Sequence, residues 1–169
     1  MCYDEKKWEV TIMATREQTQ QAQQVYAYMC DCLDRMDWNY SKEPDSLLVR
    51  FNVNGEDLAM RFLMYVDAER QLIRLLSHMP YNICEEKRVD CAVAISVANF
   101  GMVNGCFDYD VSDGQIVFRM SQSYLDCTIG AEFFVYMIGC ASGTVDRYND
   151  KFYAINKGLL SLTDFVAQE

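Results

Sequence analysis

"SLLVRFNVNGEDLAMRFLMYV", residues 46 to 66, alternates apolar and polar side chains on both sides of Asn54-Gly55. Period two is the mark of a strand with one buried face, and it puts Val49, Phe51 and Val53 on the same side of the first run. Leu58, Met60, Phe62, Met64 and Val66 share a side of the second run. The Asn-Gly pair signals a hairpin, because both residue types tolerate positive φ. A third run, Leu72 to Met79, follows "DAER" and ends at Pro80. With an antiparallel sheet in place, the remaining segments must pack around it.

Upstream, "ATREQTQQAQQVYAYMCDCLDRMDW" places Ala22, Val25, Tyr26, Met29, Leu33 and Met36 at steps of three and four, the spacing of one helix face. Its other face is rich in glutamine, and Thr15 with Gln18 fits a capping box. Downstream, "EEKRVDCAVAISVANF" returns to helical spacing, and residues 104 to 124 read as a second hairpin with Phe107, Tyr109, Val111, Ile116, Phe118 and Met120 inward. A long helix is expected from Ala131 to Asn156, with Gly139 and Gly143 as places where it could bend and Lys157-Gly158 as its end. "SLTDFVAQE" reads as a short last helix capped by Ser161. The pattern predicts one α+β domain, an antiparallel sheet of about five strands with packed helices in the order α-β-β-β-α-β-β-α.

Composition narrows the classes of function. The chain has 169 residues, enough for one domain with a sizeable core, and only two prolines and eight glycines. Fifteen Lys and Arg against 25 Asp and Glu give a formal charge of -10, a balance that repels phosphate backbones and anionic lipid. Neither a nucleic-acid nor a membrane partner is expected. The opening residues lack the apolar run of a secretory signal, and "CAVAISVANFGM" is too short to cross a bilayer, so a soluble, cytoplasmic protein is expected. Reduced thiols are then the natural state of the eight cysteines, with Cys91, Cys127 and Cys140 acting as small hydrophobes.

Few residues suggest reactive chemistry. In "NGCFDYDVSDGQIVFR", residues 104 to 119, three aspartates surround a glycine. Counted as a calcium loop from Asp108, the sixth position is Asp113 and the twelfth is Arg119, where glycine and a bidentate glutamate are required. A plain turn at Ser112-Asp113-Gly114 fits better. His78 is the sole histidine. With Cys84, and Glu85 or Glu86 to orient it, His78 could form a nucleophilic pair, which defines the alternative reading of a small Cys/His-dependent enzyme. No phosphate loop, serine elbow or C-x-x-C is present. No catalytic residue, cofactor or metal ligand is therefore assigned. Met60, Met64, Met79 and Met120 suit the core better than an adaptable binding face.

The helix over residues 85 to 100 is apolar on both sides. Val89, Ala92, Val93, Ser96, Val97 and Phe100 form one stripe, and Cys91, Ala94, Ile95, Ala98 and Met102 form another. The sheet can cover one of them. The other needs the last helix of the chain or a second subunit. Cys91, Ile95, Ala98 and Met102 are the candidate dimer or partner face.

"ANFGMVNGCFDYDVSDGQIVFRM" sets an asparagine near a helix end, a glycine before an aromatic strand, and Asp-Gly before the next strand. With "DRYNDKFYAINKGLLSLTDF" near the end, it resembles the YbjN family of bacterial sensory-transduction regulators over about Ala14 to Val166. The resemblance implies a fold similar to the type III secretion chaperones, which are small, acidic, frequently dimeric binders of other proteins. The expected function is a non-enzymatic regulator or chaperone-like adaptor with a protein partner or a second copy of itself.

Overall fold

The computed structural model describes residues 13 to 169. Its first helix, α1 (Arg16–Arg35), starts with the expected capping box. Thr15 Oγ1 accepts the Gln18 N–H at 3.2 Å, and Gln18 Oε1 accepts the Thr15 N–H at 2.8 Å. Ala22, Tyr26, Met29, Cys30, Cys32 and Leu33 are buried, so the helix presents its periodic face inward.

Among the described residues six strands follow rather than five: β1 (Tyr40–Glu43), β2 (Leu48–Asn54), β3 (Ala59–Asp67), β4 (Leu72–Asn82), β5 (Cys106–Asp110) and β6 (Gln115–Ser123). All pairs are antiparallel and the sheet order is β1-β2-β3-β4-β6-β5. The extra strand is β1, whose "YSKE" carries no alternation of its own. Pairing with β2 and anchorage to α1 create it. Tyr40 Oη donates to the Cys30 carbonyl at 3.0 Å and to Asp34 at 2.7 Å, while Lys42 pairs with Asp34 at 2.9 Å.

Strand β4 runs past Pro80 to Asn82, beyond the expected stop. Its pairing with β3 ends at Ser77, and its register with β6 shifts between His78 and Asn82, so no ladder bond is lost to the missing proline N–H.

The helices α2 (Arg88–Phe100), α3 (Ala131–Asn156) and α4 (Leu162–Gln168) complete the fold. Helix α1 packs on β3, α3 on β3, β4 and β6, and α2 on β5, α3 and α4. Alternation in the strands sends Val49, Phe51, Phe62, Met64, Ile73, Leu75, Phe118 and Met120 into the core, and their neighbours Arg50, Leu63, Tyr65, Arg74 and Leu76 to the other side of the sheet. Met60, Met64, Met79 and Met120 are all buried. Cys91 is buried and Cys140 half-buried, but Cys127 lies in an exposed turn, so it is not the small core hydrophobe expected.

The hairpin between β2 and β3 corrects the expected role of glycine. Its connection is four residues long, and neither Asn54 nor Gly55 has positive φ. A Cβ on Gly55 would lie 2.1 Å from Asp146 Oδ1 of α3 and 2.7 Å from the Leu58 carbonyl oxygen, and the next N–H, of Glu56, donates to Asp146 at 3.0 Å. Close approach of the folded-back loop at Leu58 and of α3 at Asp146, not positive φ, requires glycine there. Helix α3 is continuous across Gly139 and Gly143, both on its solvent face with no atom within 4 Å of an added Cβ.

Candidate functional site

The segment that positions the site begins where α2 meets β5. Asn99, the penultimate residue of α2, turns its amide onto the backbone of Phe107. Nδ2 donates to the Phe107 carbonyl at 2.9 Å and Oδ1 accepts the Phe107 N–H at 2.8 Å. Strand β5 is at the sheet margin, and this amide satisfies the two backbone groups that another strand would otherwise pair. Gly105, at φ 78°, brings the chain so close to the Phe118 ring that a Cβ would meet it at 2.5 Å. The ring of Phe107 then packs edge-on against Phe118, Tyr148 and Phe152 at 5.1 to 5.7 Å between centroids.

With α2 fixed in this way, its two apolar stripes have different fates. Cys91, Ala94, Ile95 and Ala98 are at most 4 % exposed and Met102 is half-buried, on the side packed by α3, α4 and β5. Cys91, Ile95, Ala98 and Met102 are therefore interior positions, and the partner face assigned to them from sequence is corrected. The uncovered face is the other one: Val89 is 74 % exposed, Val93 43 %, Phe100 95 %, and Val103 just beyond the helix 94 %. No charged residue occurs from Cys91 to Phe107. Side-chain size was the available signal. Cys91, Ala94 and Ala98 are small and allow close helix approach, whereas valine and phenylalanine at 89, 93 and 100 hold a neighbour further off.

The residues considered for nucleophilic chemistry are not assembled. His78 is exposed on the face of β4 opposite Ser77 and Met79, paired across from Val117, and partial burial lowers its pKa. The four strand steps to Asn82 cover ~13 Å before Cys84 is reached. Cys84 is held by α3: its N–H donates to Asn156 Oδ1 at 2.9 Å and its thiol to the Asn156 carbonyl at 3.7 Å. Glu86 does reach that thiol, and its own backbone N–H and the thiol together keep its carboxyl below the usual range.

Two other thiols have defined surroundings. Burial pushes Cys91 up to about 12. Cys106 lies between Arg119, at 3.3 Å, and Asp108, at 3.6 Å, while Arg119 grips Asp108 through two nitrogens at 2.5 and 3.0 Å. Burial, then the Asp108 charge, raises the Cys106 pKa against the opposing pull of Arg119. Both thiols stay protonated at neutral pH and are poor nucleophiles.

The aspartates of residues 104 to 119 form a turn. Asp110 Oδ1 accepts from the Ser112 N–H at 2.8 Å and the Ser112 hydroxyl at 2.6 Å, Asp113 Oδ1 accepts the Gln115 N–H at 2.9 Å, and Gly114 has φ 80°. Among the described residues no group of three or more His, Cys, Asp or Glu side chains could hold a metal ion, and no helix is long and apolar enough to cross a membrane.

The chain is thus an α+β protein in which an antiparallel sheet carries its helices on one face and one helix keeps an apolar side uncovered. A solved structure shares this architecture: YbjN from E. coli, described as a proposed transcription regulator, superposes with a TM-score of 0.54 at 10% sequence identity, covering 75% of this chain and 92% of YbjN. At that identity the likeness is one of fold. No family model matches the chain, and no curated protein matches it by sequence.

Proposed function

We propose that the protein is a non-enzymatic, intracellular protein-binding module, a regulator or adaptor that buries apolar surface against another protein or a second copy of itself. The observation that carries this reading is the uncovered side of α2, where Val89, Val93 and Phe100 continue into Val103. Apolar side chains at this exposure, grouped along one helix face with no charged residue from Val93 to Val103, gain free energy when a partner removes them from water, at roughly 25 cal/mol per Å². The formal charge of -10 disfavours nucleic acid and anionic membrane as that partner. The fold shared with a proposed regulator is in keeping with a role in binding.

The test is a solution mass by light scattering at micromolar concentration, for the parent chain and for a V93E/F100D variant. The parent is expected at the mass of two chains, or of a complex recovered from its host, and the variant at the mass of one. A one-chain mass for the parent, with no protein recovered by it that the variant fails to recover, would overturn the reading.

A further inference from the structure

The last helix lies against α2, with Leu160 and Leu162 half-buried on the core, and two further anchors fix it to α3. Of α4, Phe165 alone is buried, its ring 6.1 Å from that of Phe152 on α3, with Lys151 Nζ 5.8 Å from its centroid. Four residues on, the Glu169 carboxylate accepts from Arg147 at 2.9 Å, from the Tyr148 hydroxyl at 2.8 Å, and from Lys151, which leaves that side chain 7% exposed. Between α3 and α4 the chain turns at Gly158, φ 70°, where no atom lies within 4 Å of an added Cβ. Leu159 beside it is 79 % exposed. A helix of seven residues is too short to persist alone, so its order comes from these anchors and from the Ser161 cap, whose hydroxyl accepts the Asp164 N–H at 3.1 Å.

Beneath it lie Phe152, fully buried, and Tyr148, 5 % exposed, with α2 alongside. This surface has its own recognition chemistry, an aromatic-lined seat next to two cations and a phenol on a chain that is otherwise strongly acidic. We propose that residues 159 to 169 form a displaceable strap, and that the surface under it accepts a partner segment of the same chemistry, a helical turn with an aromatic side chain and a carboxylate four positions later. The seated segment of this chain shows the fit, and Arg147 and Lys151 supply the charge that selects the carboxylate. A tethered strap competes at an effective concentration of order millimolar, so it masks the seat until a better segment displaces it or its anchors are weakened. The inference goes beyond the binding reading above, since it uses a different surface and does not require the open face of α2.

The experiment titrates a fluorescein-labelled peptide of residues 158 to 169 with the full chain and with a full-length F165A/E169Q variant. The variant, its own strap loosened, is expected to bind the peptide at least about tenfold more tightly than the parent, because the intramolecular competitor is weakened. A peptide carrying the same two substitutions is expected not to bind. A folded variant that binds no better than the parent would overturn the proposal. Should the variant fail to fold, hydrogen exchange of the parent decides: amides of residues 162 to 168 are expected to exchange about 100-fold faster than those of β4 and β6, and equal rates would overturn it.

Discussion

The side chain of Asn99 replaces a strand. Its amide takes both outward backbone groups of Phe107, at 2.8 and 2.9 Å, while the Phe107 ring on the other side of the same Cα is the meeting point of Phe118, Tyr148 and Phe152. One residue on α2 therefore closes the sheet margin and orients the aromatic centre. Asn99→Ala leaves a donor and an acceptor without partners beside a buried ring and is expected to cost about 2 kcal/mol, read as a lower urea midpoint with unchanged slope. Asn99→Asp keeps the acceptor, loses the donor and sets a charge against the Phe107 carbonyl, so it should be no more stable than the alanine variant at neutral pH.

The two stripes of α2 should respond oppositely to the same substitution. Ile95→Glu places a charge at a position 4 % exposed and is expected to abolish cooperative unfolding or lower the melting temperature severely. Val93→Glu, at 43 % exposure, should leave the melting temperature within a few degrees of the parent. Equal losses from both would mean that α2 is turned differently.

Glycine substitutions separate the two reasons for glycine in this chain. Gly139→Ala and Gly143→Ala, on the open side of α3, should each stabilise by roughly 0.5–1 kcal/mol, a rise of ~1–4 °C at this chain length. Gly55→Ala should destabilise by more than about 1 kcal/mol, because although Asp146 could swing aside, the Leu58 carbonyl oxygen at 2.7 Å belongs to the backbone.

Asn149 is 1 % exposed on α3, and neither polar atom of its side chain has a hydrogen-bond partner, although its backbone carbonyl accepts from Tyr81. Asn149→Leu, close in size, is expected to hold or raise stability by up to ~2 kcal/mol in chemical denaturation. A clear loss would show that the amide is engaged in solution.

Acid should loosen the last helix. Burial alone would raise the Glu169 pKa, but the hydrogen bonds from Lys151 and Tyr148 and the charges of Lys151 and Arg147 outweigh it and hold the carboxyl below its ordinary 4.5. A group depressed in the folded state contributes stability above its unfolded pKa and loses it as pH falls through the folded one. The protection of α4 amides, exchange measured relative to the intrinsic rate at each pH, should therefore fall below pH ~4.5 in the parent, and Glu169→Gln should show low protection at every pH with that dependence removed.

Periodicity made much of this fold legible. Alternation over residues 46 to 66 and 104 to 124, the capping box at Thr15, and the helix from Ala131 to Asn156 appear where local pattern places them, since each records which side of one element must leave water; Val111, expected inward, is the exception, 52 % exposed in the turn after β5. Strand β1 is not legible locally because "YSKE" is four residues with no apolar alternation, and it exists through β2 and α1. The need for glycine at 55 comes not from positive φ but from crowding of its Cβ position, by the backbone carbonyl of Leu58 in the same loop and by a carboxylate 91 residues later in the chain.

The sequence by itself determined the class of fold, the buried side of each alternating strand, and the presence of one helix with too much apolar surface, because these follow from side-chain spacing along a single element. Only the tertiary structure decided which side of that helix faces water, that His78 and Cys84 stay apart, and that Glu169 meets Arg147 and Lys151. Each of those depends on how elements distant in the chain are rotated against one another, and that rotation is fixed by packing many side chains at once.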